Sequence, residues 1–497
     1  MTHMLSRAMA LPRRLLHGGS AGDASTAKGR QIASNVLVQL VARAITMAIS
    51  VVTVSLAART LDPTGYGVWN GVGSYVGLFG VLTDLGFTTA AMQRMAAEPE
   101  REAAWLGALA GARTALSLVV LVLCAASIPI FLSDAPDAHL VAYIMTSTIL
   151  LSGASAMMAV FQSRLRSGLV LSLSLLQSFL WLMAVLVLYA TKASVVAFTA
   201  TNTVLLVGIS LLQFRTTRKF AHIAWREGLR LWRPLIRLAV PLGLASVMIT
   251  IYYQVDSVLL LQISGPAESG IYGAAYGFLS PLTFLPAAVM SSFFPVLSAI
   301  YLSDPERARR LVQICANAMA VIGLPILAGT IALSGPIIHH MYGTKFDRAA
   351  GLLPILMIAF VSICYGSLAG FLAPVLGLQW RAALYSTIGA VANVALNLVL
   401  IPIDGAYGSA WATVATEILT MTLMLGTALH RMRARIVPWK ILRTVALAAL
   451  MTGAMLLTAT LGFIPAAIIG GGVYVGGLFA LRIVDLGELR ALRAQAI

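Results

Sequence analysis

Five ionisable side chains stand inside stretches that are otherwise apolar: Arg43, Arg113, Asp84, Asp256 and Glu417. Arg43 lies ten residues into a run that begins at residue 33, and Arg113 nine residues into one that begins at 104. At a rise of 1.5 Å per residue both guanidiniums sit about 14–15 Å deep, near the midplane of a hydrocarbon core of roughly 30 Å. An arginine at that depth costs about 2.5–3.5 kcal/mol on insertion scales, so each needs a wet cavity or a partner. The guanidinium fork suits phosphate, because it gives paired, charge-assisted hydrogen bonds. Arg43 and Arg113 are therefore candidate anion ligands facing a cavity. The same positions also fit arginines that pair with buried carboxylates or backbone carbonyls and lock helices together. Arg237, only a few residues into its run, reads as interfacial.

The acids carry a second kind of chemistry. Glu417 is mid-span in GSAWATVATEILTMTL, Asp84 is near the inner end of the second run, and Asp256 is toward the outer end of the seventh. A buried carboxyl can bind and release a proton, which makes the three candidates for ion coupling. An interhelical hydrogen bond or salt bridge accounts for each as well. The tyrosines Tyr252, Tyr253, Tyr272 and Tyr276, with Gln254, Asn393 and Asn397, are candidates for a sugar path. Tyrosines near span ends also serve as interface anchors.

Reaction machinery is missing from the sequence. It holds no G-x-x-x-x-G-K-[ST] loop, no H-E-x-x-H and no G-x-S-x-G, and its histidines, cysteines and acids form no metal-ligand spacing. Cys124, Cys315 and Cys364 lie in apolar runs and read as small hydrophobes. The expectation is a protein that is not an enzyme, with no metal and no bound cofactor.

The elements that hold these residues follow from composition. Hydrophobic residues make up 59% of the chain and charged ones 10%, too little charge to cover a soluble surface. Apolar runs long enough to span a bilayer recur near 33–57, 67–88, 104–132, 138–161, 169–190, 194–214, 234–263, 271–298, 311–334, 351–376, 381–402, 406–429, 441–463 and 464–481. This is an all-α polytopic membrane protein of about fourteen spans. With the N-terminus inside, 27 of the 34 Lys and Arg fall in inside segments, and only Arg59, Lys192, Lys345 and Arg348 fall outside. That asymmetry obeys the positive-inside rule, so the net charge of +16 is topological and no nucleic-acid partner is expected.

Five segments result: a basic cytoplasmic tail (1–30), an N-lobe of spans 1–6 (31–214), a basic amphipathic linker (215–233), a C-lobe of spans 7–12 (234–430), and spans 13–14 with a C-terminal tail (431–497). LDPTGYGVWNGVGSYVGLFG (61–80) and SGPAESGIYGAAYGFLSPLTF (264–284) each place a proline in an outside turn and a Gly-Tyr motif at the next helix start. Their spacing of six spans predicts two parallel lobes with a cavity between them. The outside connections are short, which disfavours a membrane glycosyltransferase or polymerase.

Several motifs resemble a known family. Arg59-Thr-Leu-Asp-Pro-x-Gly-Tyr-Gly is similar to the A-R-x-L-G-P-x-x-Y-G turn of polysaccharide flippases, with Asp62 in place of glycine. TDLGF (83–87) with Arg94, Gln254-x-Asp256-Ser257, Gly270-x-Tyr272-x-Ala274-Ala275, Phe294-Pro295-x-Leu297-Ser298 and NLVLIPIDGAYGSAWATVATE (397–417) follow in the family's order. Ser409 stands where alanine is common. The resemblance is to Wzx-like O-antigen flippases of the multidrug/oligosaccharidyl-lipid/polysaccharide exporter superfamily, which includes MATE-like antiporters.

It implies a flippase that moves undecaprenyl-pyrophosphate-linked oligosaccharide to the outer leaflet of a bacterial inner membrane, for O-antigen, capsule or exopolysaccharide. It also implies two six-helix lobes plus two helices, a central cationic cavity and coupling to an ion such as a proton or sodium. The pyrophosphate would then sit on Arg43 and Arg113. The implied partners are the lipid-linked oligosaccharide, membrane lipid, a polysaccharide polymerase and a chain-length regulator. A drug or metabolite antiporter and a peptidoglycan-precursor flippase remain open as alternatives.

Overall fold

The computed structural model describes residues 21–132, 137–164 and 167–483, with the backbone alone for residues 21–40, 167 and 245. Residues 1–20 and 484–497, which hold most of the expected basic tail and the end of the last segment, lie outside the described residues. Within them every element is helical. Twelve helices are long and apolar enough to cross a bilayer. Two of these each contain a reversal, which makes fourteen crossings. In chain order they are α1 (21–61), α2 (63–97), α3 (Glu102–Phe131), α4 (Ala138–Ser163), α5 (Ser167–Ala190), α6 (Val195–Phe220), α7 (Trp232–Ile263), α8 (Pro266–Ile300), α9 (Pro305–Tyr342), α10 (Ala349–Val375), α11 (379–403), α12 (406–432), α13 (Trp439–Leu457) and α14 (Phe463–Ala480).

The first reversal is the tightest. A straight helix over residues 21–80 would run about 90 Å, three bilayer cores. Instead the backbone breaks at Asp62, with φ 56° and ψ 176°. Its carboxylate accepts the N–H groups of Thr64 and Gly65 at 3.1 and 3.2 Å, which caps α2. Pro63 follows at the first helical position, where its missing N–H does no harm. Both helices then run back along α8: Val54 lies beside Gly277 and Arg43 beside Phe284, while Gly67 lies beside Gly270 and Asn70 beside Gly273. The connection expected between residues 57 and 67 thus shrinks to one residue, because one aspartate both turns the chain and caps the next helix.

A second reversal, at Asp404 and Gly405 (φ 53°), joins α11 to α12. A hydrogen bond between the Tyr385 and Thr427 hydroxyls (3.0 Å) and one from Ser409 to Asn397 (2.8 Å) hold the antiparallel pair. The new helix start is capped from another helix: the Ala406 N–H donates to Glu268 Oε2 at 3.1 Å, and Arg348 pairs with the same carboxylate at 2.6 Å.

Helices α1–α6 and α7–α12 form two bundles, and α13 and α14 pack on α9, where the Tyr474 hydroxyl donates to the Val321 carbonyl at 3.0 Å. The repeat segments read from the sequence are the two that meet. A Cβ on Gly67 would strike the Pro266 carbonyl, and one on Gly270 would strike the Pro63 carbonyl, so the two helix starts touch backbone to backbone. Around that contact Arg59 donates to the carbonyls of His340 and Met341, and Ser55 donates to the latter too. Tyr66 packs edge-on against Phe346. The lobes are therefore closed together on the face that carries Asp62.

On the opposite face the basic linker is docked, not free. Its short helix Trp225–Arg230 lies on the start of α3: Gly228 abuts the backbone of Gly107, and the Ala224 N–H donates to the Ala103 carbonyl at 3.0 Å. The expected linker of residues 215–233 is shorter than the sequence suggests, since α6 runs on to Phe220 and α7 starts at Trp232.

Gly67→Val or Gly270→Val should disrupt the closed seam, since overpacking of this kind costs about 1–3 kcal/mol. The expected result is a lower melting temperature in detergent and greater cysteine-reagent access on the Asp62 face. An unchanged melting curve and access pattern would show that the seam is looser than its contacts indicate.

Candidate functional site

A large cavity, about 610 Å³, opens among α2, α4, α5, α6 and α7. Five carboxamides reach its wall, Asn70, Gln177, Asn202, Gln213 and Gln254. Hydroxyls from Ser74, Thr83, Thr148, Ser152, Ser155, Thr203 and Ser210 fill the spaces between them. No charged side chain is among its lining residues. Trp69 adds an aromatic wall, stacked on Trp181, and its buried indole N–H has no hydrogen-bond partner. The glycine at 77 gives the Gln254 carboxamide room: a Cβ there would meet that amide and make the flexible side chain shift. The resemblance implied a cationic cavity; this one is neutral and polar.

Arg113 stands just behind its wall. The guanidinium is 3.4 Å from Asp84, and it donates to Thr88 Oγ1 at 2.9 Å and to Ser152 Oγ at 3.0 Å. Asp84 has a local job as well. It accepts the Thr88 N–H at 3.0 Å and so caps the last part of α2, after Leu85 and Gly86 turn the chain with positive φ. The TDLGF motif is thus a helix break: an acid for the cap and a glycine for the left-handed residue. Gly86 also lets α7 approach, since a Cβ there would strike the Ala239 carbonyl.

Arg43 is placed differently. It is exposed, with its guanidinium 5.7 Å from the centre of the Phe284 ring, at the seam of α1 and α8. The two arginines contact different helices and neither lines the cavity, so the structure does not show them sharing one vestibule.

Asp256 lies in a polar knot of the second bundle, 2% exposed. Oδ1 accepts from Asn397 at 2.8 Å, and Oδ2 accepts from Tyr272 and Thr413, both at 2.9 Å. Asn397 also receives the Ser409 hydroxyl and donates to the Asn393 carbonyl. These donors come from α8, α11 and α12 onto an acid of α7, so the knot ties four helices together. No cation pairs with Asp256 or Glu417 in the recorded ion pairs of the described residues. Glu417 lines a second cavity of about 320 Å³ with Tyr252, Tyr253 and Tyr385. Of the sugar-path candidates, Gln254 reaches the large cavity and Tyr252 and Tyr253 the small one, while Tyr272, Asn393 and Asn397 serve the Asp256 knot.

Most of the large cavity's wall escaped the sequence reading. One signal was present: Asn202, Leu206, Ile209, Ser210 and Gln213 recur at helical spacing along α6 and all line the cavity. Single polar residues in an apolar run look unremarked until they are placed on one face.

Residues 32–301 match a family model described as "Polysaccharide biosynthesis protein". The chain is 28% identical over 176 residues to "Probable flippase AglR" of Haloferax volcanii; the match covers 35% of this chain and 36% of that relative, about a third of its length. Among solved structures, "Lipid II flippase MurJ, inward closed conformation" superposes with a TM-score of 0.74 at 14% identity, covering 90% of this chain and 99% of that one. An inward-facing multidrug resistance MATE family transporter of the MOP superfamily gives 0.58 at 14% identity, covering 79% and 94%. At such identities the likeness is one of fold: this chain has the helical architecture of that superfamily.

Replacing Asp256 by leucine should strand Asn397, Tyr272 and Thr413 without their acceptor. Each buried unsatisfied group costs about 1–3 kcal/mol, so Asp256→Leu should lower the melting temperature markedly and Asp256→Asn much less. Thermal unfolding in detergent checks this; equal melting temperatures for the two variants would mean the knot does not depend on its acceptor.

Proposed function

Because the chain belongs to the polysaccharide biosynthesis family, we propose that it is a flippase that carries undecaprenyl-pyrophosphate-linked oligosaccharide across a bacterial inner membrane. The product serves surface polysaccharide assembly, as O-antigen, capsule or exopolysaccharide. The observation that carries this reading is the neutral cavity of about 610 Å³, lined by carboxamides, hydroxyls and Trp69. Carboxamides donate and accept at once, and an indole face packs against the C–H face of a sugar ring. That is a lining for an uncharged glycan.

Alternating access supplies the cycle. The lobes meet at Gly67 and Gly270 on the Asp62 face, so the cavity's route out must lie toward the other face in this conformation. The charge bias supports a cytoplasmic side for that face and for both termini, since its connections hold nearly all the Lys and Arg. Cargo loads there, the Gly67–Gly270 seam parts, and the glycan leaves outside. The isoprenoid tail stays in lipid throughout. Arg43, exposed at the α1–α8 seam, holds the pyrophosphate where glycan and tail join.

Asp256 is the coupling carboxylate in this reading, with a proton or sodium as the ion. It is an acid with three neutral donors around it and no ion-pair partner among the described residues. The inward cycle would need that charge compensated as α7, α8, α11 and α12 move past one another.

Purified protein in liposomes should flip a fluorescent undecaprenyl-pyrophosphate-linked oligosaccharide. Arg43→Glu should slow that flipping about tenfold or more, the worth of a charge-assisted contact, while Arg43→Lys retains most of it. Undiminished flipping by the Glu variant would remove Arg43 from the cargo path. Absence of flipping by wild-type protein, with any saccharide of the host's own assembly line, would reject the function.

An imposed proton or sodium gradient should accelerate the wild type, and Asp256→Asn should flip at the same rate with or without the gradient. Acceleration that survives in Asp256→Asn would place coupling elsewhere, with Glu417 the next acid to test.

A second reading is a MATE-like antiporter of drugs or metabolites, favoured by the cavity that joins Glu417 to three tyrosines. A carboxylate among aromatic rings suits an organic cation. Gradient-driven uptake of ethidium, with no flipping of lipid-linked saccharide, would establish it. A peptidoglycan-precursor flippase is told apart in the same liposomes by its preference for that lipid-linked cargo.

A further inference from the structure

The contacts of Arg113 run in one direction. Its Nε–H donates to Ser152 Oγ at 3.0 Å, Ser152 Oγ donates to Thr83 Oγ1 at 2.8 Å, and Thr83 Oγ1 donates to the Gly80 carbonyl at 2.7 Å. Ser152 and Thr83 both line the large cavity, and Arg113 does not. A hydroxyl has one proton and two lone pairs. With its proton committed to the chain, each of these hydroxyls can offer the cavity only a lone pair. Two more wall hydroxyls are spent in the same way: Thr148 donates to the Met145 carbonyl at 2.6 Å, and Ser155 donates to the Ser152 carbonyl at 3.0 Å. Those two are ordinary helix back-bonds. The Ser152–Thr83 link is different, because it crosses from α4 to α2 and its sense is set at both ends, by a cation that can only donate and by the Gly80 carbonyl, which can only accept.

The charges around the chain are accounted for. Asp84 lies 3.4 Å from Arg113, so the guanidinium's charge is met inside the wall and does not project into the cavity. An anionic ligand at this end would meet oxygen lone pairs with no free cation behind them. A ligand rich in hydroxyl groups would find an acceptor for each proton it brings.

We propose that Arg113 is a positioning residue which turns the Ser152 and Thr83 hydroxyl protons into the wall, making this end of the cavity an acceptor surface selective for an uncharged, hydroxyl-rich saccharide segment. The assignment rests on the flippase reading and refines it: the glycan's neutral sugars lie here, and acidic groups of the cargo lie elsewhere.

Binding to the purified full chain in detergent tests it, with N,N′-diacetylchitobiose and maltotriose as neutral probes and a digalacturonate as the acidic one. Arg113→Lys keeps a charge for Asp84 but loses the Nε donor to Ser152. It should retain the wild-type melting temperature yet weaken the neutral probes about tenfold, the worth of one charge-assisted hydrogen bond. Ser152→Ala should weaken them similarly, and the double variant should be no weaker than Ser152→Ala alone, because both act through one hydroxyl. The acidic probe should bind worst to the wild type and gain relative to the neutral ones in Arg113→Lys.

Additive losses in the double variant, or neutral binding unchanged in Arg113→Lys, would overturn the positioning role while leaving the saccharide cavity standing. Wild-type protein that binds neither neutral probe, or prefers the acidic one, would overturn the saccharide assignment itself.

Discussion

The contact between Gly67 and Gly270 constrains everything around the cavity. In lipid, helices have no hydrophobic reason to leave one hydrocarbon for another, so they associate through close packing, and small residues allow the closest approach. Here the starts of α2 and α8 touch backbone to backbone, and a single methyl group on either glycine has no room. The contact sits at one end of both helices. Toward the other end the wall of α2 is free to line a cavity, through Asn70, Gly73, Gly77 and Gly80. A pinch at one end and a space beyond it is the geometry that alternating access needs. The polar ties around the pinch, from Arg59 to the carbonyls at 340 and 341 and from Glu268 to Arg348, join segments that must separate when the seam opens. They are exposed at the rim, where solvent can replace them at little cost.

Charge inside the membrane follows the opposite logic. Each deep ionisable group costs several kcal/mol if left alone, so its surroundings show what it is for. Arg113 is met by Asp84 and by two hydroxyls, which leaves it little capacity for a ligand of its own. Asp256 is surrounded by donors that carry no charge, which satisfies its lone pairs without neutralising it. Arg43 lies exposed, over an aromatic ring that attracts a cation through its face. One sequence pattern, a lone charge in an apolar run, thus has three physical resolutions.

Helix number, charge bias and the repeat were legible in the sequence because each is set by a local rule: a span needs about twenty apolar residues, and its flanks follow the positive-inside rule. The repeat's two Gly-Tyr segments even proved to be the pair in contact. The sharp reversal at Asp62 was harder to read, since an aspartate before a proline signals a cap without saying that the turn needs no further residues. Equal depth suggested that Arg43 and Arg113 share a cavity, but depth says nothing about the direction a helix face points. Arg113 faces Asp84, one helix away, and that pairing depends on the break at Leu85 and Gly86, which no periodicity reveals. The cavity wall was dispersed over five helices, each giving it a few polar residues too sparse to stand out singly.

A neutral chamber with cations kept at its margins has a kinetic consequence for cargo that is part sugar and part diphosphate. If arginines lined the chamber, the diphosphate would be drawn in and held, and release to the far side would have to overcome that same attraction. Tight binding common to both states moves nothing, since only a difference in affinity between states shifts a conformational equilibrium. Hydrogen bonds to a glycan exchange readily for hydrogen bonds to water, so their net contribution is about 0.5–1.5 kcal/mol each. A wall of carboxamides and pre-spent hydroxyls can therefore recognise the sugars without trapping them. The pairing of Arg113 with Asp84 keeps one strong charge out of the chamber, and Arg43, at the seam of α1 and α8, is not among its lining residues. In the proposed cycle, recognition of the headgroup and release of the glycan would then fall to different surfaces of one protein.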